Sequence, residues 1–180
     1  IPKSNGKMRP LGIPTIRDRV VQAAVMTVLT PIFEPDLLDE QHGFGSHRTA
    51  KSPLRATHAL INRGRRVEII DADLSAYFDS IPHGRLIRCV ARRVSDGAML
   101  ALIKAWLEMP VEEEGPGGKS RTSRAKDSGK GTPQGAPISP LLSNLYMRRF
   151  VLGWKQLGHE SRIRARIVNY ADDFVTLCRG

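Results

Sequence analysis

Apolar positions recur at helical spacing over Asp18–Leu29, where Val21, Ala24, Val25 and Val28 fall on one face. The pattern predicts a helix there, ended by Pro31 and Pro35. Gly43-Phe44-Gly45-Ser46 breaks the chain, and a second helix is predicted over Ser52–Asn62. Arg66–Leu74 (RVEIIDADL) is short, β-rich and apolar at its centre, the mark of a strand. Ile81-Pro82-His83 predicts a turn into a helix over Arg85–Arg93, with a further helix over Met99–Met109. Ser139 has the character of an N-cap and Pro140 that of a first helical residue. Behind them Leu142, Tyr146, Phe150 and Trp154 recur at spacing four and predict a buried face. The last pattern is a hairpin: Ile163–Tyr170, a tip at Ala171-Asp172-Asp173, then Phe174–Cys178. Strands and helices mix without a regular βαβ rhythm or an internal repeat, so the predicted fold class is α+β.

Two segments stand apart from this periodicity. Residues 1–14 carry Pro, Gly and basic residues around short apolar pieces, with Asn5-Gly6 as a turn signal, and predict an extended or hairpin-like run. Residues 110–131 contain Glu112-Glu113-Glu114, then Gly115, Gly117 and Gly118, then a Lys/Arg/Ser run, and predict a charged loop or long hairpin outside the core.

Composition narrows the class. Hydrophobic residues make up 41% of the 180, enough for a real core. Lys and Arg total 28 against 18 Asp and Glu, a net charge of +10 that favours polyanionic partners. Cys89 and Cys178 have no metal-ligand spacing and are expected as buried thiols in a reducing compartment. The longest apolar stretch, Val20–Leu29, contains Gln22 and Thr27 and is too short to span a bilayer. With no signal peptide in view, a cytoplasmic or organellar location is expected rather than secretion, and no membrane partner. The chain starts at Ile1-Pro2-Lys3 without Met and stops at Arg179-Gly180 after a strand-like run, as a piece of a longer polypeptide would.

Candidate chemistry begins at Tyr170-Ala171-Asp172-Asp173. Adjacent carboxylates at a hairpin tip repel each other, and between apolar strands they call for a cation. The strand RVEIIDADL supplies two partners, Asp71 and Asp73, which point to one face. A strand-end carboxylate beside a hairpin-tip pair makes a hard-oxygen cage suited to Mg²⁺. Two such ions about 3.5–4 Å apart would serve phosphoryl transfer to a 3′-hydroxyl.

Five motifs in order carry a resemblance over essentially the whole chain. They are RPLGIPTIRDRVVQ (9–22), QHGFGSHRTA (41–50), DLSAYFDSI (73–81), GTPQGAPISPLLSNLYM (131–147) and YADD (170–173). Together they resemble reverse transcriptases, most closely those of group II introns and their bacterial relatives. The resemblance implies a right-hand polymerase, with fingers over 1–66 and palm over 67–180, and an antiparallel palm sheet backed by helices. It implies catalytic carboxylates at Asp73, Asp172 and Asp173, and a metal set of Asp73, Leu74, Asp172 and Asp173 holding two Mg²⁺, with Mn²⁺ as an alternative. Asp73 is preferred to Asp71 by its distance in sequence from Tyr77-Phe78.

Substrate contacts are implied at Lys3 and Arg9 (triphosphate), Phe78 (a gate against the 2′-hydroxyl), Gln134 and Gly135 (incoming nucleotide and template). Asp79 is expected to cap the next helix, and His83 to be a turn residue. Arg17, Asp18 and Arg19 are read as surface pairing or template placement. The implied partners are an RNA template, a DNA primer or RNA–DNA duplex, dNTPs and intron RNA. No part of residues 1–180 is expected to form a thumb, so weak or no processive synthesis is expected of this segment alone. Two rival readings stand: an RNA-binding splicing cofactor on the same fold, and a metal-dependent nuclease, which would need neither the Phe78 gate nor Gln134-Gly135.

Overall fold

The computed structural model describes residues 12–45, 48–62, 68–114, 120–124 and 129–179. The predicted run over 1–14 lies almost wholly outside these residues. Helix α1 spans Ile16–Phe33. It opens on a reciprocal cap: the Thr15 hydroxyl bonds the Asp18 carboxylate, and Asp18 N–H donates back to Thr15 Oγ1 at 3.2 Å. Pro31 sits inside α1 and does not end it. Leu29 and Phe33 on either side are each 1% exposed, and their burial holds the last turn against the one hydrogen bond that proline removes. Pro35 falls in the 3-10 turn Glu34–Asp36 that follows.

The predicted buried face of α1 is also revised. Val25 is buried, but Val21 and Val28 are 40% and 56% exposed. The buried stripe is Gln22, Val25, Leu29 and Phe33. This helix is apolar nearly all round, so sequence spacing could not pick its inner face.

Helix α2 covers Lys51–Asn62, close to its predicted span. Strand β1 is Glu68–Asp73. A one-turn helix, α3 (Tyr77–Ser80), comes next, then α4 (His83–Val90) and α5 (Gly97–Leu107). Asp96 caps α5, its Oδ1 accepting from Met99 N–H at 2.7 Å. Strands β2 (Pro110–Glu114) and β3 (Ser120–Arg124) pair antiparallel, so the described part of the charged segment is a two-stranded ladder. Helix α6 is Ser139–Gln156, α7 a single turn at His159–Arg162, and β4 (Arg166–Tyr170) and β5 (Asp173–Cys178) make the final hairpin.

On α6 the spacing-four line does not stay buried. Leu142 is fully buried, whereas Phe150 is 39% exposed. Each four-residue step overshoots a 3.6-residue turn by about 40°, so the line winds off the inner face. Leu141, Leu145, Met147 and Val151 fill the core there instead. Ser139 is itself the first helical residue rather than the one before it, and its hydroxyl donates to Pro133 O at 2.7 Å.

The sheet that matters for function has three antiparallel strands in the order β1-β5-β4. β1 is an edge, and its apolar centre is not buried: Ile69 and Ile70 are 50% and 59% exposed. α6 lies against the sheet through Phe150, whose ring centroid is 5.2 Å from that of Phe174 on β5. Cys89 and Cys178 are free thiols, half-buried rather than fully buried. Among the described residues no helix is long and apolar enough to cross a membrane.

The chain divides into two compact units, Ile1–Val28 with Phe78–Ser139, and Leu29–Tyr77 with Pro140–Gly180. In the first, α4 packs on α5, and buried His83, Leu86 and Val90 form its inner stripe. Arg85 and Arg88 repeat the spacing of His83 and Leu86 two residues on, which turns them about 200° away, Arg92 follows just past the helix end, and all three are exposed. In the second unit lie the three-stranded sheet and the predicted catalytic carboxylates.

Candidate active site

The β1–β5 ladder places Asp73 directly across from Asp173, and Asp71 across from Val175. Asp71, Asp73 and Asp173 therefore share one face of the sheet, all exposed, with half-buried Asp172 in the turn beside them. Leu74 N–H donates to Asp172 O at 3.2 Å, tying the end of β1 to the hairpin tip. The Leu74 carbonyl accepts from Tyr77 N–H at 3.1 Å, and the Tyr77 hydroxyl donates to Ser143 O on α6 at 2.7 Å. The segment after Asp73 is thus pinned to a rigid helix.

Both carboxylate-bearing ends turn through left-handed alanines, Ala76 at φ 52° and Ala171 at φ 57°. Such conformations are costly without glycine and persist where the surroundings enforce them. At Ala171 the enforcement is visible: Asn169 Nδ2 donates to Ala171 O at 2.9 Å and to Asp173 O at 3.0 Å.

Partial desolvation, followed by the negative charges of Asp172, Asp73 and Asp71, holds the Asp173 carboxyl above the ordinary carboxylate range. Most of that side chain is open to water, so the neighbouring charges are the feature specific to this place. Among the described residues no three His, Cys, Asp or Glu side chains already converge as a ligand group for a metal ion. The donors nonetheless fit a hard cation in kind: they are carboxylate oxygens in mutual repulsion. Mg²⁺ characteristically takes one or two protein carboxylates and completes its shell with water and phosphate oxygens.

The other predicted residues lie in the first unit or outside the described residues. Phe78 is half-buried in α3, and its carbonyl accepts from Thr132 N–H at 2.8 Å. Gln134 Nε2 donates to Asp79 Oδ1 at 3.4 Å, and Gln134 O accepts from Gly12 N–H at 2.7 Å. Gly135 is exposed at φ 109°, a conformation that requires glycine. The structure therefore joins Phe78, Asp79, Gln134 and Gly135 through one loop.

Asp79 does not cap α4, because Pro82 occupies the N-cap position and Asp79 is engaged by Gln134. His83 is more than a turn residue. It is 5% exposed, its Nε2–H donates to Gly131 O at 2.8 Å, and it fastens the 129–131 loop to the start of α4. Lys3 and Arg9 lie outside the described residues.

Sequence reasoning missed the buried amides Gln41, Asn144 and Asn169, exposed 0%, 1% and 0%. The available signal was a polar residue inside an otherwise apolar run, as in LLSNLY and RIVNYA.

A three-stranded antiparallel sheet with paired carboxylates at a hairpin tip and a third across the ladder defines a polymerase-palm class of fold. Residues 1–180 match the family described as reverse transcriptase (RNA-dependent DNA polymerase), and the chain belongs to it. That family's activity is of the nucleotidyl-transfer kind. Protein YkfC of Escherichia coli (strain K12) is 34% identical over 212 residues, covering 100% of this chain and 53% of YkfC. The group II intron-encoded protein LtrA of Lactococcus lactis subsp. cremoris is 35% identical over 156 residues, covering 85% of this chain and 24% of LtrA. The chain thus spans about half of one relative and a quarter of the other. Among solved structures, apo telomerase from Candida tropicalis matches with a TM-score of 0.61 at 10% identity, over 90% of this chain and 32% of that one. At that identity the likeness is one of fold.

Proposed function

We propose that this chain is the fingers (1–66) and palm (67–180) of an RNA-directed DNA polymerase that transfers dNTPs to a primer 3′-hydroxyl on an RNA template. The observation that carries this reading is the register that sets Asp73 opposite Asp173, with Asp172 in the adjoining turn. In the reaction the primer 3′-oxygen bonds to the α-phosphorus, the α–β bridge breaks, and pyrophosphate leaves. Asp73, Asp172 and Asp173, with the Leu74 carbonyl, would hold two Mg²⁺, for which Mn²⁺ could substitute. When bound, these ions would supply charge for the attacking and leaving oxygens.

The chain's own part is to fix these carboxylates and select the substrate. The Phe78 ring would exclude a 2′-hydroxyl by overlap. Gln134 and the backbone at Gly135 would meet the nucleotide and template, and Lys3 and Arg9 the triphosphate. A net charge of +10 suits an RNA-containing duplex held through its phosphates. Primer extension on an RNA template tests the proposal, with loss of product in Asp172→Ala/Asp173→Ala as the expected result.

A second reading, an RNA-binding cofactor for intron splicing, is favoured by the relatives' names. These include the group II intron-encoded protein LtrA and a nuclear intron maturase of Arabidopsis thaliana, 30% identical over 61% of this chain. The two activities can share one fold. Intron-RNA binding that survives loss of the carboxylates would support this role.

A further inference from the structure

The turn that carries Asp172 rests on a set of buried amides no catalytic role accounts for. Residues 40–42 run beside the end of β4. Asn169 N–H donates to Glu40 O, and His42 N–H donates to Asn169 O, each at 2.8 Å. Helix α6 grips the same segment through Asn144, since Gln41 Nε2 donates to Asn144 O at 3.0 Å and Asn144 Nδ2 donates to Gly43 O, and again through Lys155, which pairs with Glu40. Gln41 Oε1 in turn accepts from Leu38 N–H at 3.3 Å.

Gly43 then meets the catalytic turn directly. A Cβ there would stand 2.7 Å from Ala171 N and 3.3 Å from Ala171 Cα. Both obstacles are backbone, so no rotamer change relieves them. From the other side Asn169 Nδ2 holds Ala171 O and Asp173 O. Ala171, left-handed and 8% exposed, is thus clasped between Gly43 and Asn169.

We infer that Gly43 and Asn144 are positioning residues: through Ala171 they set the height of the Asp172-Asp173 turn against Asp73. Both are buried, out of reach of a substrate at the surface. The inference rests on the polymerase reading for its consequence, since the height of the turn fixes where carboxylate oxygens meet a cation. Helix α6 is a suitable datum, with Leu142 and Val151 each 0% exposed. A displacement of about 1 Å at such a place can cost on the order of 10²-fold in rate.

The experiment compares the full natural chain with Gly43→Ala, Asn144→Ala and the double variant Gly43→Ala/Ala171→Gly. Three readouts are taken: Mn²⁺ affinity by electron paramagnetic resonance, kcat and KM for dNTP in primer extension, and metal-free RNA binding. Asn144→Ala introduces no clash and reports on the same clasp should Gly43→Ala not fold. The expected result is Mn²⁺ affinity reduced at least fivefold in Gly43→Ala, and less in Asn144→Ala. kcat falls more than KM rises, and RNA binding stays within twofold. Ala171→Gly, which frees the turn to retreat, recovers part of the Mn²⁺ affinity.

Unchanged Mn²⁺ affinity and kcat in both single variants would overturn the inference. So would metal and RNA binding lost together in both with a lowered melting transition, since that marks a merely structural role. A parent that binds Mn²⁺ but extends no primer would refute the polymerase reading alone, leaving the clasp to be judged on the Mn²⁺ data.

Discussion

Asp73 faces Asp173 across the β1–β5 ladder, two carboxylates held in register by six backbone pairings from Glu68–Cys178 to Asp73–Asp173. Like charges directly opposite are destabilising, and a bound cation would offset that cost. The Asp173 carboxyl is raised above its ordinary range, first by partial desolvation, then by Asp172, and after these by the facing Asp73 and by Asp71.

The sign of that effect predicts a pH signature. With the folded-state value above the unfolded one, the native chain binds the extra proton. Metal-free stability is therefore greatest below the unfolded value and declines as pH rises through the folded one. Asp173→Asn should melt close to the parent in acid and above it at neutral pH. Mg²⁺ should stabilise the parent at neutral pH and the variant less. Thermal melts at several pH values, with and without Mg²⁺, check both halves.

Phe78 offers a specificity prediction. Phe78→Ala should admit ribonucleotides, lowering dNTP-over-rNTP discrimination by roughly 10–200-fold, the range one apolar contact can command. Single-nucleotide incorporation kinetics measure it. Unaltered discrimination would return Phe78 to the core.

Arg85 and Arg88 lie on the face of α4 opposite buried His83 and Leu86, and Arg92 lies just past the helix end, all three exposed. None of the three is paired with a carboxylate among the described residues. If they meet phosphates, replacing all three with Gln should make log K against log salt for RNA duplex binding shallower by about 2–3. A fluorescence anisotropy titration over a salt series gives the slope. An unchanged slope would leave them as a solvated face.

The motifs made the sheet and the carboxylates legible. A strand ending in Asp73 and a hairpin tip at Asp172-Asp173 could each be seen in the residues, and order along the chain made them partners. Less local features were hidden. No sequence signal marks Ala76 or Ala171 as left-handed, because alanine does not ask for that conformation. The inner face of α1 was illegible because apolar residues surround the helix. On α6 a spacing of four was mistaken for a helical face although it drifts off one. Asn144 and Asn169 stood out as polar residues in apolar runs. The partner of Asn144, Gly43, is distant in sequence, so only the fold could supply it, whereas Asn169 reaches Ala171 only two residues on, through a turn that alanine does not announce.

Single-turnover primer extension on an RNA template tests the central claim most directly, comparing the full natural chain with Asp73→Asn and Asp172→Asn. Both substitutions keep side-chain volume and remove charge. The expected result is dNTP- and Mg²⁺-dependent extension by the parent and a loss of at least ~10³-fold, on the order of the larger single-residue electrostatic effects in catalysis, in each variant, with RNA binding retained. Extension by either variant at near-parental rate would contradict it.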